Sequence, residues 1–189
     1  MKNLELTTLI LSGGEGRRME NQDKGWVEYL GKPLIHHAIE FAERHTDKIV
    51  LSYNRNRDRY AALQYPGSED REPRYAGPLM GILSCKALIS TDYTLIIPCD
   101  MPQLDTGIVS KLWQGLAEND LAVAHDGIRL QSLVFIARTQ AFDSIEDYLK
   151  GTNRSVRGWL DSQDSVVVDF SAYKSAFQNI NEKSGLQNP

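Results

Sequence analysis

Short apolar runs alternate along the chain with stretches of helical periodicity. The first run, Thr7-Thr8-Leu9-Ile10-Leu11-Ser12, enters a glycine pair and predicts a buried strand leading into a loop. Residues 34–44 place Leu34, Ala38, Phe41 and Ala42 on one helical face, with Pro33 at the favourable first-turn position. Residues 48–53 predict a second strand, 57–63 a helical stretch, and 66–76 a polar loop. Pro78 opens a mostly apolar helix through residue 88, and 93–97 predicts a short buried strand stopped by Pro98. The second half repeats the theme: a helix over 106–118, strands over 121–124 and 133–137, helices over 141–150 and 156–160, and a β-branched strand over 166–170. Such alternation predicts an α/β fold, a Rossmann-like three-layer sandwich with a mainly parallel central sheet covered on both faces. No repeat, Pro-rich linker or composition shift divides the chain, so residues 1–189 are expected to form a single domain.

Composition narrows the function. At 189 residues, 41% hydrophobic and 24% charged, the chain falls in the globular range and can build a core without staples. Twenty-one Lys and Arg against 25 Asp and Glu leave a net charge of −4, which disfavours a nucleic-acid-coating surface. An anion would have to be held by local backbone dipoles and a few placed cations. Cys85 and Cys99 show no CxxC or Cys/His spacing, so neither a disulfide framework nor a zinc site is expected. No signal peptide and no apolar segment approaching 18 residues is present, which predicts a cytoplasmic protein without a membrane span.

The chemistry concentrates after the first strand, in Leu11-Ser12-Gly13-Gly14-Glu15-Gly16-Arg17-Arg18-Met19 and then Asp23-Lys24. Glycines there let backbone N–H groups point outward as a cradle for phosphate oxygens, and Arg17, Arg18 and Lys24 add cationic donors. The competing reading is a flexible β-to-α turn with solvated charges. A P-loop is excluded, because the lone Gly31-Lys32 is followed by Pro33. The dinucleotide fingerprint is excluded too, because Met19 stands where its third glycine belongs. Asp100 follows the strand Leu95-Ile96-Ile97, where ligands collect in open α/β sheets, and its carboxylate is a hard oxygen ligand suited to Mg²⁺.

The loop from Leu11 to Lys24 resembles the nucleotidyltransferase signature, Leu-x-Gly-Gly-x-x-x-Arg-Met followed by Asp-Lys. Gly31-Lys32-Pro33-Leu34, Asn54-Arg55, Gly77-Pro78-Leu79-x-Gly81, Cys99-Asp100-Met101-Pro102, Val168-Asp169-Phe170 and Phe177-Gln178-Asn179-Ile180-Asn181 extend the likeness in order. Together they are similar to the molybdenum cofactor guanylyltransferase family. The pattern is departed from at Glu20-Asn21, Ser52, Ser132 and Glu182-Lys183-Ser184-Gly185.

The resemblance implies an enzyme that moves GMP from GTP to the terminal phosphate of molybdopterin and releases pyrophosphate. It implies that Leu11, Ser12, Gly13 and Gly14 wrap the nucleotide, with Arg18 and Lys24 as cations at the triphosphate. Asp70 then helps hold the nucleotide and Asp100 binds Mg²⁺, so that Arg18, Lys24 and Asp100 form the catalytic set. Gly77 and Gly81 permit close approach at the rim, and Asn179 and Asn181 face molybdopterin. His125-Asp126-Gly127 is read as a strand end and turn at the substrate rim. A monomer with transient contacts to proteins of molybdenum cofactor biosynthesis and delivery is expected. Two alternatives stay open: a cytidylyltransferase-type relative, and a nucleotide-binding module without turnover.

Overall fold

The computed structural model describes residues 5–13, 23–70 and 77–180. Its centre is a seven-stranded sheet. In chain order its strands are β1 (Leu6–Leu11), β4 (Ile49–Tyr53), β5 (Gly67–Glu69), β6 (Tyr93–Pro98), β7 (Leu121–His125), β8 (Leu130–Arg138) and β9 (Ser165–Asp169). Their order across the sheet is β5-β4-β1-β6-β8-β7-β9. Only β8 runs against its neighbours, because a tight connection after β7 returns it as a hairpin. A small antiparallel pair, β2 (Glu28–Tyr29) with β3 (Lys32–Pro33), precedes the first helix.

The predicted three layers follow from side-chain alternation in β1, which is buried along its whole length. Leu6 and Ile10 point into a core shared with α1 (Leu34–Glu43) and α4 (Gly107–Leu116). Leu9 and Leu11 point into the opposite core with α3 (Pro78–Cys85), α5 (Ile145–Leu149) and α6 (Val156–Leu160), where Trp159 is fully buried. The short α2 (Arg57–Ala61) contributes Tyr60, stacked on Tyr53 with ring centroids 4.6 Å apart.

Four local expectations shift. The polar loop over 66–76 begins with β5, whose Gly-Ser-Glu sequence has no apolar alternation and is drawn into the sheet by backbone pairing with β4. The helix over 141–150 is divided into a 3-10 stretch, Thr139–Ser144, and α5. The helix through 88 ends as α3 at Cys85 and finishes in a 3-10 turn, Lys86–Leu88. The strand over 133–137 is longer, as β8 begins at Leu130. Among the described residues no helix is long and apolar enough to cross a membrane, and both cysteines are free and buried.

Candidate active site

Strand order places the site. The chain leaves β1 for β4 and β5 on one side, then returns to β6 on the other, so the carboxyl ends of β1 and β6 bound a crevice where the winding direction reverses. Leu11 pairs with Pro98, and the next backbone bond, from Cys99 N–H to the Leu11 carbonyl, spans 3.1 Å. Ser12 and Gly13 therefore emerge beside Cys99 and Asp100. On the other side Ser12 N–H donates to the Ser52 carbonyl at 2.8 Å, which brings Asn54 against Gly13. A Cβ on Gly13 would lie 2.9 Å from the Asn54 amide nitrogen.

Asp100 is the focus of the crevice. It is only 6% exposed, and its Oδ2 accepts from the Lys24 ammonium. Its Oδ1 is buried with no partner among the described residues. Lys24 is delivered by a single 3-10 turn, Lys24–Trp26, capped by Asp23. Asp23 Oδ1 accepts from Gly25 N–H at 3.1 Å and from the Tyr60 hydroxyl at 2.9 Å, while its Oδ2 accepts from the Asn56 amide at 2.9 Å. Two helical elements and a loop thus converge on the residue before the lysine. Behind Asp100, burial pushes the Cys99 thiol up to about 12, so it favours the neutral thiol.

A second carboxylate sits across β1. Asp70 follows β5, is half-buried, and exchanges two hydrogen bonds with Asn54. The Asn54 amide donates to Asp70 Oδ2 at 2.9 Å, and Asp70 N–H donates to Asn54 Oδ1 at 3.3 Å. Burial raises the Asp70 pKa, against the opposing pull of the Asn54 hydrogen bond. Its Oδ1 has no partner among the described residues. Gly81, inside α3, faces this group: a Cβ there would collide with Ser52 Oγ and come 3.4 Å from Asp70 Oδ1. Gly77 opens the same helix at φ +87°, a conformation a β-carbon resists, and Pro78 follows at the first helical position.

The raised pKa has a stability consequence. Between the ordinary carboxylate value and the folded one, the native state binds more protons than the unfolded chain. Stability from Asp70 therefore falls as pH rises through that window and is lowest above it. Asp70→Asn should raise the melting temperature near neutrality, on the scale of about 2–4 °C, with the gain shrinking below the ordinary carboxylate pKa. Thermal melts of both proteins across pH check this.

The third region lies beyond Asp100. Its carbonyl accepts from Ile180 N–H at 2.9 Å, which brings the C-terminal segment alongside. Asp100, Arg129, Gln131 and Asn179 line a cavity of about 210 Å³, and Arg129 and Asn179 also line a cleft of about 940 Å³ with Tyr29, Gln103, Asp126 and Lys174. Asp126 is buried just past β7 and accepts from Ile128 N–H and Arg129 N–H at 2.8 Å and from the Gln131 amide at 2.6 Å. Burial pushes its pKa up, but the three donors outweigh it and the carboxyl stays below its usual range.

Those residues singled out in the sequence that are described lie along one crevice and its flanks. Leu11, Ser12, Gly13, Lys24 and Asp100 share the crevice; Asp70 and Gly81 flank it on the β4 side, and Asn179 on the β8 side. Gly14, Arg18 and Asn181 lie outside the described residues. Residues 8–166 match the family model described as a MobA-like NTP transferase domain. The chain is 37% identical over 181 residues to a molybdenum cofactor guanylyltransferase of Shewanella woodyi, covering 95% of this chain and 92% of that one. It is 37% identical over 188 residues to the protein of the same name from Mannheimia succiniciproducens, covering 98% and 99%. The chain belongs to the molybdenum cofactor guanylyltransferase family. It is thus a nucleotidyltransferase enzyme, and the fold agrees: the crystal structure of molybdopterin-guanine dinucleotide biosynthesis protein A from Archaeoglobus fulgidus superposes with a TM-score of 0.77 at 20% identity, covering 95% of this chain and 94% of that one.

In this guanylyltransferase four further polar residues, to which the sequence assigned no role, are brought to the site by the fold: Asp23, Asn54, Arg129 and Lys174. Asp23 was visible only as the neighbour of Lys24, and Asn54 only as part of the resemblance. Arg129 and Lys174 carried no signal, since nothing in their local sequence places them on one cleft.

Proposed function

We propose that this enzyme transfers GMP from GTP to the terminal phosphate of molybdopterin, with Asp100 as the Mg²⁺ ligand. The observation that carries the reading is the state of Asp100: a buried carboxylate at the switch point, one oxygen on Lys24 and the other without a partner among the described residues. That donor suits a hard cation. Among the described residues no three His, Cys, Asp or Glu side chains cluster as a ready-made cage, which fits Mg²⁺ held by one carboxylate together with substrate oxygens. When bound, the cation supplies positive charge at the triphosphate and polarises its oxygens.

The chain's own groups account for the rest. The acceptor is a phosphate monoester whose second pKa is about 6, so at neutral pH it is largely a dianion and needs no side-chain base. One of its oxygens bonds to the α-phosphorus of GTP as the bond from that phosphorus to the bridging oxygen of the β-phosphate breaks. Pyrophosphate leaves with that electron pair, and no proton is transferred. The barrier is repulsion between anions, so the protein's work is alignment and neutralisation. Lys24 exchanges its carboxylate partner for triphosphate oxygens, and Arg18 and the amides of Gly13 and Gly14 hold the phosphates, the Ser12 N–H being taken by the Ser52 carbonyl. Asp70 takes the N1–H and 2-amino edge of guanine on Oδ1, which has no partner among the described residues. The 940 Å³ cleft, with Arg129, Lys174 and Asn179, suits an anionic acceptor of molybdopterin size. The whole chain acts as one nucleotidyltransferase domain.

Mass spectrometry of the product formed from molybdopterin with each of the four nucleoside triphosphates tests this reading. A guanine dinucleotide of molybdopterin, made with stoichiometric pyrophosphate, is expected. A cytosine dinucleotide as the main product would move the enzyme to cytidylyl transfer, and no product with any nucleotide would make it a binding module.

A further inference from the structure

Asn54 lies outside the set of groups that hold phosphate or metal, yet it touches two parts of the site at once. It is the first residue beyond β4, and Asp70 is the first beyond β5. Tyr53 and Glu69 are the last backbone partners of those strands. The reciprocal pair of hydrogen bonds continues the ladder by one step through a side chain. On its other side the Asn54 amide abuts Gly13, where the chain leaves β1 for the phosphate turn.

We infer that Asn54 is a positioning residue for base selection: by engaging Asp70 Oδ2 and the Asp70 N–H, it fixes the carboxylate so that only Oδ1 is offered to the nucleotide. This rests on the reading of Asp70 as the group that meets the base. The chemistry favours a neutral amide in this role. A Lys or Arg partner would satisfy the carboxylate and remove its demand for donors, whereas one amide N–H leaves Oδ1 buried and without a partner among the described residues. Guanine brings two donors, N1–H and the 2-amino group. Adenine brings a lone pair at N1 and no 2-amino group, so it would leave the carboxylate unpaired and repelled. The geometry adds a second constraint. Ser52 and Gly81 close the wall beside Oδ1, and a side chain at 81 would occupy that space. Discrimination then depends on holding Asp70 in one rotamer, since a carboxylate free to turn toward water would bind either purine with similar weakness. The contact with Gly13 ties that rotamer to the phosphate turn, so the base and the triphosphate are registered to one another.

The test is steady-state turnover with molybdopterin and GTP, ITP or ATP, for wild type, Asn54→Leu, Asn54→Ala and Asp70→Asn, with thermal melts of each. Asn54→Leu should lower the GTP-to-ATP ratio of kcat/KM by about tenfold or more. The loss should come through a higher KM for GTP, with kcat at saturation within about threefold, because Asn54 holds no phosphate or metal. ITP, which lacks the 2-amino group, should lose less than GTP. Asn54→Ala should give the same split and is the variant to read if the leucine does not fold. Asp70→Asn should abolish the preference, and adding Asn54→Leu to it should cost little more. If Asp70→Asn loses the preference while both Asn54 variants keep it, the positioning role is wrong and the Asp70 reading stands. If Asp70→Asn itself keeps the preference, both fall. A variant at Asn54 that lowers kcat with KM and the nucleotide ratio unchanged also overturns the role.

Discussion

Asp100→Asn is expected to lower kcat/KM for GTP by about 10³-fold, or about 4 kcal/mol of transition-state stabilisation, with only a small change in melting temperature. The amide keeps an oxygen where Oδ1 stands but loses the charge that favours a cation there. Two opposing effects bear on stability. Removing the carboxylate leaves the Lys24 ammonium with a weaker partner, but Lys24 is 26% exposed at its side chain and can rehydrate. Taking a negative charge out of a nearly closed position, 8% exposed at the side chain, also removes a burial cost. The near cancellation is what separates a functional carboxylate from a structural one. Initial rates measured against Mg²⁺ concentration decide the matter: the variant should lose the saturable dependence shown by the wild type. An Asp100→Asn enzyme that keeps the wild-type Mg²⁺ dependence would remove the metal assignment.

On the proposed reading a chain of net charge −4 takes two polyanions as substrates and must concentrate its positive field. Lys24 stands at the crevice, and Arg129 and Lys174 stand on the cleft beyond it. The surface as a whole repels these substrates, so binding rests on short-range groups that salt screens less than a diffuse field. The ion pair between Lys24 and Asp100 also keeps either charge from standing alone before the nucleotide arrives.

The sheet and its layers were legible because β1, β4 and β6 are short, mostly apolar runs bounded by turn residues, the pattern expected of a parallel strand covered on both faces. Asp100 was legible for the same reason: it follows the end of such a run, and strand ends are where ligands collect. β5 was not, since a three-residue edge strand of Gly-Ser-Glu is held by backbone bonds alone. The Asn54–Asp70 pair inherited that blindness, because without β5 nothing places residues 16 apart in contact. The partners of Asp23 are farther still, 33 and 37 residues downstream at Asn56 and Tyr60. Counting charges makes Asp23 a neutraliser of the neighbouring cations. Only the packing of α2 over the 3-10 turn shows it to be the anchor of that turn.

Asp23→Ala follows from that anchoring and should lower kcat by about 10²-fold, the scale on which a small misplacement of a catalytic group acts. Three donors lose their acceptor at once: the Gly25 N–H, the Asn56 amide and the Tyr60 hydroxyl. Tyr60 is 1% exposed and cannot turn its hydroxyl to water, so the variant should also lose about 1–3 kcal/mol of stability. Loss of stability alone would not show that Asp23 positions Lys24, so the rescue pattern matters. Asp23→Asn keeps an oxygen for Gly25 N–H and for Tyr60 and should recover most of kcat. Tyr60→Phe removes one donor and leaves the cap on Gly25, so it should lower stability while holding kcat within about threefold. The damage from Asp23→Ala should appear in kcat more than in the KM for GTP, because a lysine that reaches the triphosphate in the ground state but misses its developing charge weakens only the transition state. Turnover and chemical denaturation measured on the three variants separate the two roles. An Asp23→Ala enzyme that is less stable yet turns over at the wild-type rate under saturating GTP would reduce Asp23 to a structural cap, and the placement of Lys24 would have to come from other contacts, its ion pair with Asp100 among them.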